Sequence, residues 1–181
     1  VSTPAVSFLT RKTAAQAGIM ISASHNPYED NGIKIFSSDG IKFNDSVEGG
    51  LEIQILSCEL AAPNGLGADP NALEFDHSVA PQQLRLYTDY LRSCLAPGFH
   101  LQGVFLVVDC AHGSLSNIAP AFLRSLGARV HAIHCRPDGR NINRQAGALY
   151  LGTLQREVLA QNADLGIAFD GDADRGMLVD A

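Results

Sequence analysis

Val104-Phe105-Leu106-Val107-Val108-Asp109 is an unbroken apolar run closed by a carboxylate. A run of that length without alternation reads as a strand buried on both faces, the kind found in parallel sheets. Asn117 to Leu126 follows as a helix that Gly127 stops, and Val130 to Ile133 reads as the next strand. Strand, helix, strand at this spacing is a βαβ unit with a right-handed crossover. A second helix, Thr153 to Asn162, leads to another apolar strand, Leu165 to Phe169, and Gly176 to Val179 gives a further one. This half is therefore α/β, and chemistry is expected in loops at the carboxyl ends of its strands. One such loop, Asp170-Gly171-Asp172-Ala173-Asp174-Arg175, directly follows Phe169.

Towards the N-terminus, Gln82 to Leu95 reads as a helix with Leu84, Leu91 and Leu95 along one side and Tyr87 close by. Residues 61–81 are rich in Pro, Gly, Asn and Asp and have no sustained period, which predicts a linker and a division into 1–76 and 77–181. Before it, Ser2-Thr3-Pro4 opens a helix, with Thr3 as cap and Pro4 at the first helical position. Val6, Leu9 and Ala17 form its apolar face, and Gly18 ends it. Ile19-Met20-Ile21 reads as a short buried strand that breaks into the polar loop Ser22-Ala23-Ser24-His25-Asn26-Pro27, continuing through Asp30-Asn31-Gly32-Ile33-Lys34. Ile33 to Phe36 is a short alternating strand, Ser38-Asp39-Gly40 a turn, and Ile41 to Phe43 its antiparallel return. Ser46 to Leu60 reads as a helix, weakened by Gly49-Gly50.

The 181 residues are 46% hydrophobic with mean hydropathy near zero, which fits a soluble globular protein. A net charge of −6 without Lys/Arg clusters argues against nucleic acid or an anionic membrane as partner. No apolar run reaches membrane-spanning length and no signal peptide is visible, so the expected setting is cytoplasmic. The chain starts at Val1 and stops just after an apolar strand, and is read as part of a longer protein. Cys58, Cys94, Cys110 and Cys135 form no C-x-x-C pair and are expected to be reduced thiols. His131 and His134, three apart on a strand, point to opposite faces and do not make a metal pair. No G-x-G-x-x-G run supports a dinucleotide.

Asp170, Asp172 and Asp174 alternate with Gly171 and Ala173, so a tight loop can turn three carboxylates to one point. Clustered negative charge is costly unless a cation neutralises it, and oxygen-only ligands favour Mg²⁺, Mn²⁺ or Ca²⁺ over zinc. An EF-hand would need Gly at its sixth position and Glu at its twelfth, where this chain has Arg175 and Ala181. A serine at a strand-to-loop junction beside such a centre fits phosphoryl transfer, which needs positioning and charge stabilisation. In that setting His25 and Asn26 orient the phosphoryl group, Gly32 allows close backbone approach, and Lys34 stabilises charge or exchanges a proton with a substrate hydroxyl.

The S-A-S-H-N-P-x-x-D-N-G-I-K run from Ser22 and the D-G-D-A-D-R run from Asp170 together resemble the phosphohexomutases. Ile21-Ser22-Ala23-Ser24 and Gly139-Arg140-Asn141-Ile142-Asn143 look most like the phosphoglucosamine mutase branch of that family. The resemblance implies layered α/β/α domains with mixed or parallel sheets, here two partial domains of a four-domain chain. Residues 1–76 would be the later part of domain 1, with the phosphoserine loop, and 77–181 most of domain 2, with the metal loop. It implies that Ser24, not Ser22, is phosphorylated, and that one Mg²⁺ bridges Ser24 phosphate to Asp170, Asp172 and Asp174. It further assigns Arg175 to phosphate, and His25 and Lys34 to proton transfer or charge stabilisation. The implied reaction converts glucosamine 6-phosphate to glucosamine 1-phosphate through a 1,6-bisphosphate, with a hexose 1,6-bisphosphate as activating donor. Domains 3 and 4, which recognise sugar and distal phosphate, would be missing, so the chain alone is expected not to complete the cycle. His112-Gly113-Ser114 departs from the family's usual asparagine at the histidine position.

Other readings remain open at this point. Phosphomannomutase/phosphoglucomutase activity is one. A haloacid-dehalogenase-like phosphatase with Asp170 as nucleophile and Asp172 as general acid is another, although Ala173-Asp174 replaces the expected Gly-Thr. A non-catalytic module binding Mg²⁺ and phosphate is the third.

Overall fold

The computed structural model describes residues 1–57 and 80–180. In chain order these form α1 (Thr3–Lys12), β1 (Ala17–Ser22), β2 (Gly32–Ser37), α2 (Asp45–Ser57), α3 (Ala80–Ser93), β3 (Phe105–Asp109), α4 (Ala119–Ser125) and β4 (Arg129–Ile133). A 3₁₀ turn (Gly147–Leu149), α5 (Gly152–Gln161), β5 (Leu165–Phe169) and β6 (Gly176–Asp180) complete them. Residues 61–79 of the expected linker, the 76/77 boundary and Cys58 lie outside the described residues, and the linker's last two residues, Ala80 and Pro81, open α3 instead.

The second half follows its sequence closely. Its sheet has the order β4-β3-β5-β6, with β3 parallel to both β4 and β5 and β6 antiparallel to β5. Successive side chains of β3 leave on opposite faces, and the two faces meet different helices. Val107 packs with Leu154 and Val158 of α5 and with Ala168 and Val179. Leu106 and Val108 pack with Cys110 and with Ala119 of α4. The result is the expected α/β/α layering around a mixed sheet. Asn162, left-handed at φ 49°, caps α5, and Gly127 at φ +100° lets the chain turn from α4 into β4. No helix among the described residues is long and apolar enough to cross a membrane.

The first half differs from its sequence reading in several places. Ser2, not Thr3, caps α1, its hydroxyl accepting from the Ala5 amide at 3.3 Å. The helix ends at Lys12 because Ala14 turns left-handed, so Ala17 and Gly18 belong to β1 rather than to the helix and its stop. β1 pairs antiparallel with β2, Ile19 opposite Ile35 and Ile21 opposite Ile33. Cross-strand partners share a face, and that face is open: Ile19 and Ile21 are 62% and 67% exposed, so β1 is not the buried strand expected. Met20 and Phe36 are buried on the other face, against which α1 packs. The return through Ile41–Phe43 is one Phe36–Lys42 bridge rather than a strand, with Ser37 and Phe43 amides donating to Ile41 and Ile35 carbonyls. On α3 the leucines are half-buried, and Tyr87 is the residue that inserts, 5.9 Å from the ring of Phe8.

Leu154 is fully buried between sheet and helix layer, whereas Leu159 on the same helix is 65% exposed. Leu154→Ala is expected to cost about 2–5 kcal/mol in urea unfolding, with Leu159→Ala changing stability by less than about 0.5 kcal/mol. Equal costs would show that α5 does not pack through the face described.

Candidate active site

The loop between β1 and β2 carries Ser24, and the loop between β5 and β6 carries the three aspartates. They meet. Ser24 Oγ donates to Asp172 Oδ1 at 3.0 Å, across 148 positions of sequence. Lys34 lies on β2 opposite Met20, hence on the strand face that looks towards α1, and its Nζ sits 2.6 Å from Asp172 Oδ2 and 3.5 Å from Asp174 Oδ2. Thr3 completes the set, its hydroxyl donating to Asp172 Oδ2 at 2.5 Å and its amide to the Asp172 carbonyl at 2.9 Å. Sequence reading made Thr3 a helix cap. Ser2 takes that task and leaves Thr3 free for the aspartate.

The two serines of the loop separate by their partners. Ser22 Oγ accepts from the Ser24 amide at 2.9 Å and so braces the turn, while the Ser24 hydroxyl faces the carboxylates. Ser24 holds φ 52°, a conformation that costs a non-glycine residue energy unless its surroundings fix it. They do: Ser24 carbonyl accepts from the Gly171 amide at 3.1 Å and from Asn143 Nδ2 at 2.8 Å. The same Asn143 amide group donates to the Asn26 carbonyl at 2.8 Å. Asn143 was quoted in the sequence only for its resemblance. Its signal was a polar residue that tolerates the left-handed region, and it sits there at φ 59°.

Close backbone approach belongs to Gly171 rather than Gly32. A Cβ on Gly32 would meet only the Ser22 carbonyl at 3.9 Å, whereas one on Gly171 would lie 2.6 Å from the Ser24 carbonyl oxygen and against Ile142. Gly171 is held from behind by the turn after β3, where the Ser114 amide donates to its carbonyl at 2.8 Å. That turn rests on Asp109, fully buried, whose two carboxylate oxygens accept from the Ala111 amide and from His134 Nδ1, each at 2.9 Å. His112 is left-handed, donates its amide to the His134 carbonyl at 2.6 Å and sets its ring edge-on to that of His134. His131 instead approaches Glu157.

The three carboxylates offer ligand atoms within 4.8 Å of one another. Asp170 Oδ2 is buried with no hydrogen-bond partner, and burial pushes this carboxyl up to about 6. Burial acts the same way on Asp172, but hydrogen bonds from Lys34, Thr3 and Ser24 outweigh it and hold that carboxyl below its ordinary range. Lys34 loses some solvation yet is raised by Asp172 and Asp174, so it stays an ammonium. Lys34 offsets one of three negative charges and leaves two, the charge of a divalent cation. Arg175, 53% exposed and 3.8 Å from Asp174, adds little to that balance. An orphaned buried oxygen, an oxygen-only donor set and a two-charge deficit fit Mg²⁺ held by Asp170, Asp172 and Asp174. His25 Nδ1 is likewise buried without a partner, and the Asn26 side chain is exposed.

Residues 1–61 match the family described as phosphoglucomutase/phosphomannomutase, alpha/beta/alpha domain I, and residues 85–181 match its alpha/beta/alpha domain II. The chain belongs to this family. It is 44% identical over 178 residues to the phosphoglucosamine mutase of Ectopseudomonas mendocina, covering 98% of this chain and 38% of that protein. It is 49% identical over 180 residues to the phosphoglucosamine mutase of Bordetella parapertussis, covering 99% and 38%. The crystal structure of a phosphoglucomutase/phosphomannomutase family protein from Burkholderia thailandensis superposes with a TM-score of 0.69 at 23% identity, over 99% of this chain and 38% of that one. That likeness bears on the fold alone. The chain spans about two fifths of the length of the curated relatives it matches.

The hydrogen bond to Asp109 raises the pKa of His134 above its ordinary 6.5, against the effect of burial. A group whose folded pKa is raised stabilises fully below its unfolded pKa, and that contribution fades as pH climbs through the folded value. The thermal midpoint is therefore expected to fall as pH rises above about 6.5, and His134→Gln to flatten that slope. A slope unchanged in the variant would remove the Asp109–His134 pair from the support of the site.

Proposed function

We propose that this chain carries the phosphoryl-transfer centre of a phosphoglucosamine mutase, an isomerase that interconverts glucosamine 6-phosphate and glucosamine 1-phosphate. The carrying observation is the Ser24 hydroxyl 3.0 Å from Asp172, beside Lys34 and two further carboxylates. The identity to phosphoglucosamine mutases supports the sugar named. On this reading residues 1–76 contribute the serine loop and 77–181 the aspartate loop. The remaining three fifths of such a protein would hold the sugar and its distal phosphate, so the 181 residues alone do not complete a cycle.

Phosphorylated Ser24 gives its phosphoryl group to a hexosamine phosphate hydroxyl: the Oγ–P bond breaks and a sugar O–P bond forms. The bisphosphate so made returns its other phosphoryl group to Ser24. Lys34, kept protonated by its carboxylate partners, stabilises charge on the moving group and is poorly placed to act as base. His25, with an unpartnered ring nitrogen next to Ser24, takes the sugar hydroxyl proton. Asn26 and Gly32 border the phosphoryl group and Arg175 faces phosphate from the far side of Asp174. Mg²⁺ on Asp170, Asp172 and Asp174, when bound, polarises a phosphoryl oxygen. A hexose 1,6-bisphosphate primes the serine.

The nucleophilic-aspartate reading has less support, since Asp170 is 2% exposed with one carboxylate oxygen already accepting from the Arg175 amide at 3.1 Å.

Incubation with labelled glucose 1,6-bisphosphate and Mg²⁺ is expected to place acid-stable phosphate on Ser24, read by peptide mass spectrometry. Ser24→Ala should lose the label and Ser22→Ala keep it. Label on Ser22, or a hydroxylamine-labile label on Asp170, would overturn the assignment. Calorimetric Mg²⁺ binding should vanish when Asp170, Asp172 and Asp174 are all replaced by Ala, and binding that persists would refute the metal site.

A further inference from the structure

β4 ends with a break in its own alternation. Ile133 packs on the face that Val107 and Leu154 fill, so an unbroken strand would carry Cys135 to that face too. His134 stands between them in the left-handed region at φ 50°, and Cys135 comes out on the opposite face. That face holds Cys110, fully buried with Leu106 and Val108. The two cysteines meet at one atom. The Cys110 amide and the Cys135 thiol each donate to the Ile133 carbonyl oxygen at 3.2 Å. Both are free thiols, each just past the carboxyl end of one of two neighbouring parallel strands.

The pair is asymmetric. Cys110 is sealed in the core, whereas Cys135 keeps part of its surface in solvent. Hydrogen bonding between the two thiols, together with burial, pushes Cys110 up, and the same bonding holds Cys135 below its ordinary value. The first to lose its proton is therefore the one nearer solvent, and the thiolate is the reactive form. A second thiol beside it can resolve the oxidised product.

We propose that Cys110 and Cys135 form a redox-modifiable pair, oxidised by hydrogen peroxide to a disulfide that ties the end of β3 to the end of β4. The Cys135 sulfur attacks one peroxide oxygen, the O–O bond breaks, and a sulfenic acid and water result. The Cys110 sulfur then attacks the Cys135 sulfur, and the displaced hydroxyl leaves as water with the Cys110 proton. Two thiols and one peroxide thus become one disulfide and two waters, the sulfurs oxidised and the peroxide oxygens reduced.

Such a bond has a route to the serine loop. Non-bonded heavy atoms in contact stand roughly 3.5–4 Å apart, and a disulfide draws its sulfurs to about 2.05 Å. Oxidation also removes the proton that Cys135 gives to Ile133. Ala111, His112 and His134 beside the pair are already left-handed and have little freedom to absorb movement. The His112 amide bonds the His134 carbonyl, and the same turn carries Ser114 to Gly171 and Gly171 to Ser24. The oxidised form is therefore expected to hold the serine and aspartate loops less firmly than the reduced form. This holds whatever chemistry Ser24 performs.

The test uses the Cys94→Ser protein, because exposed Cys94 shares a tryptic peptide with Cys110. After treatment with hydrogen peroxide, mass spectrometry without reduction should find the Cys110 and Cys135 peptides linked, and Cys135→Ser should abolish the link. Amide hydrogen exchange on the same samples should quicken roughly fivefold or more in the peptides containing Ser114 and Gly171, with α5 unchanged. Dithiothreitol should reverse both changes, which separates a disulfide from methionine oxidation. No linked peptide, or linkage of either cysteine to Cys58 instead, overturns the pair. Linkage with unchanged exchange, or with an equal rise in α5, overturns its coupling to the serine loop. Neither readout uses Ser24 labelling or turnover, so failure here and failure of the phosphoryl-transfer reading are distinguishable.

Discussion

Asp172 is a fully buried carboxylate on which three separate segments of chain converge. Burying a carboxylate costs several kcal/mol unless hydrogen bonds and opposite charge replace its water. Here the replacements come from Thr3 at the start of α1, Ser24 in the β1–β2 loop and Lys34 on β2. None of these belongs to the sheet that carries Asp172 itself. The cost of the buried charge is therefore met only when the first half of the chain docks on the second, and a break in that docking strands the charge. The two halves and the site are held by the same bonds, so a change that loosens one loosens the other.

Backbone geometry shows the same dependence at smaller scale. Ser24, Ala111, His112, Asn143 and Ala173 all lie in the left-handed region, where a side chain costs of the order of 1 kcal/mol or more. Four of them stand in the turns that face Gly171 or hold the serine loop, and each strained turn is tied by the next. Asp109 and His134 fix the turn at Ala111 and His112, that turn sets Ser114 against Gly171, and Gly171 reaches Ser24. A side chain at Gly171 would break this relay at its narrowest point, where Ile142 and the Ser24 carbonyl leave no room for a Cβ. The candidate nucleophile is thus placed by a series of contacts that starts at the carboxyl end of β3.

The second half was legible because each strand had one long apolar run and each helix one face, so periodicity alone separated them. β5 is found at the residues read from the sequence, and β3 and β4 differ by one residue at an end. The first half was less legible because its sheet has only two strands and is covered by α1 on one face. The open isoleucines of β1 and β2 look like core residues in sequence, and nothing local distinguishes an exposed Ile19 from a buried one. The site residues divide in the same way. Ser24, Lys34 and the aspartates announce themselves by residue type and order, and the structure brings them together. Thr3, Asn143 and Gly171 act on the serine and aspartate loops through contacts that span from 117 to 169 positions of sequence, which no local pattern contains.

Phosphorylation would change what holds Asp172. The Ser24 hydroxyl donates to it now, but a phosphorylated Oγ has no proton to give, so Asp172 loses a donor at the moment a phosphate with about −1.5 to −2 charge arrives beside it. Thr3 and Lys34 remain, and Lys34 carries only one positive charge against three carboxylates and the phosphate. The deficit must be made up by charge from outside the chain or by cations turned in from its edge. Asp170, whose second oxygen is already without a partner, is the group that gains most from such a charge. The unphosphorylated site already leaves Asp170 Oδ2 without a partner, and a phosphate on Ser24 would deepen the need for a cation. One geometry can serve both because Asp172 stays fixed by Thr3 and Lys34 while only its third partner changes.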